Sequence, residues 1–175
     1  MPDFAGIGSR ETPREVIDLI KNKLCPILAA TGYNVWTGGA IGADSAFFDG
    51  YSDKSKVKLF LPEPGHNRLF GHYPTEEAFI IAEQAHPNWK ACRQYARKLH
   101  ARNSHIILGE SLSDPVDFVI CWTRNGECTG GTAQGIRLAK AYLIPIFNLG
   151  YNIKNTLTEL KYFLDNGSPK HEYLF

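Results

Sequence analysis

Short apolar runs recur along this chain, separated by stretches with helical periodicity, and most of the runs end directly in glycine or in a polar turn. Residues 4–7, 33–36, 57–61, 117–122 and 144–149 have the continuous apolar character of strands covered on both faces. Residues 75–85, 132–142 and 155–164 read as helices, as does 87 to about 104, while 105–108 fits either a helix end or a strand. An earlier helix starts at Thr12-Pro13-Arg14-Glu15, where Thr12 suits a cap, Pro13 a first helical position and Glu15 the far side of a capping box. It carries apolar Val16, Ile20, Leu24 and Leu28 to a left-handed stop at Gly32, with Pro26 a point of expected kinking. A further helix begins near Asp44. Strands alternating with helices imply an α/β fold, a Rossmann-like doubly wound and mainly parallel sheet with helices on both faces.

The chain's 175 residues fit one domain. Its core spans about 3–149, and a C-terminal helix with a loose tail fills 150–175. Lys and Arg number 19 against 18 Asp and Glu, a balance that argues against a strong general attraction to nucleic acid or anionic membrane. No basic segment followed by an apolar run opens the sequence, and no stretch approaches the ~20 apolar residues of a bilayer span, so a cytoplasmic protein is expected. Cys25, Cys92, Cys121 and Cys128 form no CxxC pair, which argues against a zinc ribbon or a disulfide framework.

In a sheet of this kind ligands bind beyond the carboxyl ends of the strands, so the residues after each strand carry the functional information. Gly6-Ile7-Gly8-Ser9-Arg10 offers close backbone approach, a hydroxyl and a guanidinium suited to phosphate. Taken alone it is equally an ordinary tight turn with a solvated arginine. Gly38-Gly39-Ala40-Ile41-Gly42-Ala43-Asp44 brings three glycines to a helix N-terminus, where free N–H groups favour an anion. It is neither a dinucleotide fingerprint nor a Walker loop. Asp44 suits a helix cap, a ribose contact or an acid/base role. Gly130-Gly131-Thr132 repeats the arrangement later in the chain. Between these pieces, Arg93, Arg97 and His100 share one side of a helix, the pattern of a solvated face.

These pieces, in this order, resemble the SLOG superfamily, which joins the DNA-processing protein DprA, the LOG phosphoribohydrolases and the molybdenum-cofactor carrier-like proteins. GIGSR is similar to the opening turn of that group and GGAIGAD to its second-strand loop. ARNSHIILG resembles an Arg-Asn segment of DprA, and DFVICW with the later GGT resembles the late strand and phosphate-binding loop. The resemblance covers about 4–149. It implies Gly8, Ser9, Arg10, Gly38, Gly39, Gly42, Asp44, Arg102, Asn103, Gly130, Gly131 and Thr132 around a nucleotide or nucleotide-derived ligand, with homodimers common among relatives.

Two activities follow from the resemblance. LOG enzymes cleave the N-glycosidic bond of a nucleoside monophosphate with a carboxylate close after their Gly-Thr. Here Ala133-Gln134-Gly135 follows, and an amide cannot supply negative charge to an oxocarbenium-like transition state. Glu127, Asp44 or Glu110 would have to replace it, and the catalytic candidates are Glu127, Asp44 and Arg102. The alternative is DprA-like binding of single-stranded DNA, with Phe70 and Tyr73 stacking beside Arg68. The loop from Pro62 to Tyr73 reads as a lid able to grip a base. His66, His72 and Glu63 within it lack a further strong ligand at useful spacing, so neither a metal nor a cofactor is expected.

Overall fold

The computed structural model describes residues 2–166, so the expected tail after Gly167 lies outside the described residues. Five strands, β1 Asp3–Gly8, β2 Asn34–Thr37, β3 Val57–Leu59, β4 Phe118–Trp122 and β5 Ile146–Asn148, form one sheet in the order β3-β2-β1-β4-β5. Every pairing is parallel, with Phe4 opposite Val35 on one side and Phe118 on the other. The order reverses at β1, so the carboxyl ends of β1 and its neighbours open the crevice in which such sheets bind ligands.

Helices lie on both faces because the central strands β1 and β4 are apolar on both. Phe4, Val35, Phe118, Ile120 and Phe147 pack one way, against α1 Arg14–Leu19, α2 Cys25–Ala30, α3 Ala43–Gly50 and α7 Ile153–Asn166. Ala5, Ile7, Trp36, Val119 and Cys121 pack the other way, against α5 Gln94–Leu108 and α6 Thr132–Ala141. α4 Glu76–Ala85 lies outside α5, its Ala78 and Ala82 meeting Ala101. No described helix is long and apolar enough to cross a membrane.

Several local expectations are corrected. Thr12 does not cap the first helix: its hydroxyl donates to Ser9 O at 2.6 Å, and Pro13 occupies the cap position with no side-chain hydrogen bond. The hydroxyl instead closes the turn after β1. Pro26 does not break the run, because a π-helical segment, Ile20–Leu24, precedes it and places it in the first turn of α2, where a missing N–H costs little. α5 starts at Gln94, later than the sequence suggests, after a 3-10 turn at Trp89–Ala91. It continues through 105–108, because Ile106, Ile107 and Leu108 are all needed in the core. β3 stops at Leu59, and Phe60 makes only an isolated bridge to His72.

The glycines of β1 answer to α3. A Cβ on Gly6 would enter the Phe47 ring, and one on Gly8 would meet Ala43 Cβ, so only these small residues let α3 lie close across the strand. That closeness delivers the N-terminus of α3 to the crevice.

Phe118 is fully buried and is the hub of the first core face, stacked on Phe4 with ring centroids 5.3 Å apart and edge-on to Phe147 and Phe163. Phe118→Ala is expected to lower stability by about 3–5 kcal/mol in urea denaturation. A loss under about 1 kcal/mol would show that this face is not the stabilising core.

Candidate functional site

A cavity of about 760 Å³ lies at the carboxyl edge of the sheet, and residues from all three glycine-bearing turns line it. Gly8, Ser9 and Arg10 come from the end of β1, Ala40 and Ile41 from the turn after β2 with Asp44 from the first turn of α3, and Gly130 and Gly131 from the loop before α6 with Thr132 the first residue of that helix. Arg102 and Asn103 enter from α5, while Thr123, Arg124 and Glu127 enter from the loop after β4.

Asp44 is the knot of this arrangement. Its Oδ1 accepts from Gly8 N at 3.1 Å, and its Oδ2 accepts from Ala40 N at 3.4 Å and from Arg102 Nη1 at 3.1 Å. The two side chains are almost wholly enclosed, at 4% and 7% exposure for Asp44 and Arg102. Burial pushes the Asp44 carboxyl above the usual carboxylate range, opposed by the Arg102 guanidinium and by the Gly8 and Ala40 amides. The helix-cap reading of Asp44 does not hold, since α3 begins without a side-chain cap.

The glycines of the second turn answer to close packing behind the cavity, and only Gly38 abuts this knot. Gly38 leaves room for the guanidinium, because a Cβ there would overlap Arg102 Nη1. Gly42 has φ +102 and lies against Ser9 O, where a side chain would be both strained and crowded. With Gly39, these residues stand behind the wall formed by Ala40 and Ile41, and none of the three is among the lining residues. Gly130 and Gly131 differ: a Cβ at either would meet nothing within 4 Å, so their backbone faces open space. Asn103 fixes that loop by donating from Nδ2 to Gly131 O at 3.1 Å.

The charges nearly cancel in pairs. Arg102 is matched by Asp44, and Arg124 meets Glu11 at 2.9 Å on the exposed rim. Arg10 has no carboxylate partner among the described residues, and Glu127 has no basic one. The cavity therefore offers one uncompensated cation and the N-termini of α3 and α6. Gln134 is turned away: fully buried, it donates to Ala82 O at 2.9 Å and accepts from Arg137 Nη2 at 2.8 Å, tying α6 to α4. Glu110 is also remote, paired with Lys58 and His72 beyond β3.

The expected lid divides. Asn67 latches its first part onto the β2 turn by donating to Gly39 O at 2.8 Å, and Asn67 and His66 line the cavity. His72 and Phe70 instead line a second groove with Trp36, Lys58 and Glu110. His66 and His72 therefore belong to different surfaces and form no common ligand set with Glu63, which pairs with Lys98. Sequence reasoning missed Tyr95 and Leu99 in the cavity wall; Tyr95 OH lies 2.9 Å from His66 Nδ1. The signal was present, since Tyr95, Leu99, Arg102 and Asn103 fall on one helical face. Burial, with Arg102 nearby, lowers the His66 pKa and keeps the ring neutral near pH 7.

No family model matches the chain, and no curated protein matches its sequence. Among solved structures the chain is similar to DNA processing protein A from Helicobacter pylori, described for its single-stranded DNA binding mode. The two share 18% identity at a TM-score of 0.58, over 92% of this chain and 81% of that one. This likeness concerns the fold.

Removing one member of the buried pair leaves the other charge uncompensated, so Arg102→Met is expected to cost about 3–5 kcal/mol in urea denaturation. Adding Asp44→Asn should restore part of that loss, because it removes the unpaired charge while its single amide oxygen still accepts from Gly8 N. Strictly additive losses would mean the pair is not coupled.

Proposed function

We propose that this protein binds a nucleotide or nucleotide-derived phosphate ligand in the cavity at the carboxyl edge of the sheet. The observation that carries this reading is the convergence of three separate turns on one cavity whose volume, about 760 Å³, suits a small molecule. Phosphate is the favoured anchor because the free donors are backbone N–H groups of the Gly130-Gly131-Thr132 loop, two helix N-termini and the Arg10 guanidinium. A base or ribose would then lie toward His66, Tyr95 and Leu99.

A hydrolytic version of this reading gives the acid/base role to Glu127, the cavity carboxylate with no partner among the described residues. Asp44 is occupied by three donors, and Arg102 is engaged with it, so both act as positioning residues. Release of base from a nucleoside monophosphate should be lost in Glu127→Gln while binding persists. Unchanged turnover in that variant removes Glu127 from the role.

A second reading is binding of single-stranded DNA, favoured by the likeness of fold to a protein described for that property and by Phe70, which is 90% exposed beside Arg68. The two readings separate experimentally. Calorimetry against nucleoside mono- and diphosphates should show binding that weakens about tenfold in Arg10→Ala, the loss expected for one charge-assisted hydrogen bond. No heat and no thermal stabilisation with any nucleotide would overturn the small-ligand reading. Mobility shift of an oligonucleotide, falling steeply with salt and lost in Phe70→Ala, would establish the DNA reading in its place.

A further inference from the structure

His86, Cys92 and His100 come together away from both grooves, each offering one ligand atom, with those atoms within 4.8 Å of one another. They are the one group of this kind among the described residues. His86 follows the end of α4, Cys92 follows the Trp89–Ala91 turn, and His100 projects from the middle of α5. We propose that these three side chains form a zinc-class transition-metal site that clips the connection between α4 and α5.

The donor chemistry fits: two imidazoles and a thiolate are the ligands that borderline divalent ions select over carboxylate sites. The geometry is close to that required. Tetrahedral zinc, with Zn–N near 2.0 Å and Zn–S near 2.3 Å, separates its ligand atoms by roughly 3.3–3.8 Å. Cys92 Sγ already lies 3.7 Å from either nitrogen of His86, and the His86 and His100 ring centroids are 4.5 Å apart. The widest pair, at most 4.8 Å apart, must close by roughly 1–1.5 Å to reach that separation.

An independent observation points to a missing partner. His100 is 8% exposed, and its Nδ1 is buried with no hydrogen-bond partner in the protein, an expensive condition for an imidazole nitrogen. The expectation that His100 belongs to a solvated face is thereby corrected: α5 turns it inward against Trp89 and His86. Burial, His86 and the nearby arginines push its pKa down to about 4, so its lone pair is free at neutral pH.

The other two ligands give up little. His86 Nδ1 accepts from Asn88 N at 3.1 Å, and Cys92 Sγ makes a weak contact with Asn88 O at 3.6 Å. Both residues are half-buried, which leaves an entry path. On binding, the Cys92 thiol would release its proton to solvent, and the thiolate would neutralise one of the two charges of the ion, while Arg137 stays held by Ala85 O and Gln134. Three protein ligands leave the fourth position to water.

The full chain, treated with chelator and then titrated with Co²⁺, tests this. The expected result is a thiolate-to-cobalt charge-transfer band in the near ultraviolet that saturates at a single equivalent and is displaced by Zn²⁺. Cys92→Ser should abolish the band with the circular dichroism unchanged, Cys128→Ser should leave it intact, and Zn²⁺ should raise the Tm of the wild type but not of Cys92→Ser. The absence of the band in folded wild-type protein, or its persistence in Cys92→Ser, overturns the proposal. His86→Asn provides a second variant at a half-buried position, and an unaltered cobalt spectrum there would equally count against it.

Discussion

The buried pair between Asp44 and Arg102 is where the fold and its cavity become one object. A carboxylate withdrawn from water must recover its lost hydration from fixed donors, and the donors available here sit on three different elements: Gly8 at the end of β1, Ala40 in the turn after β2, and Arg102 on α5. Satisfying one side chain therefore fixes the relative positions of all three. The small residues around it follow from the same demand, since Gly38 exists to admit the guanidinium and Gly42 to let the β2 turn pass Ser9.

This arrangement decides what the cavity has left to offer. With Asp44 and Arg102 spent on each other and Arg124 spent on Glu11, the unmatched positive character belongs to Arg10, to the backbone amides before α6 and to the helix N-termini. That is a modest and sharply local field. It agrees with the near-neutral composition, in which 19 basic residues face 18 acidic ones. The groove beyond β3 is a separate surface, with Phe70 and His72 on it.

The strands were legible in the sequence because a parallel sheet covered on both faces demands unbroken apolar runs, and few other elements do. The turns at the carboxyl edge of the sheet were legible because runs of small residues after a strand mark places where something approaches the backbone closely. The reasons for individual glycines were not legible. Gly6 and Gly8 yield to Phe47 and Ala43, and Gly38 to a guanidinium more than sixty residues away in the chain, so spacing alone could not assign them. Residues 105–108 stayed open between helix and strand because Ile106, Ile107 and Leu108 are buried whichever element they form. Thr12 looked like a cap because its neighbours fit one, yet α1 begins one residue later, with Pro13 at the cap position, and the Thr12 hydroxyl donates to Ser9 O. The His86, Cys92 and His100 cluster joins two helices and a turn at intervals that match no familiar ligand motif, and only the folded chain brings them together.

The account rests on exposed amides and one arginine holding an anion in the cavity, and a titration of isotope-labelled protein with a nucleoside monophosphate, followed by amide chemical shifts, tests this most directly. Saturable shifts concentrated at Ser9, Arg10, Ile41, Gly131 and Thr132 are the expected result, with inorganic phosphate moving the same amides at higher concentration. Shifts confined to the groove around Trp36, Phe70 and His72, or none at all, would contradict it.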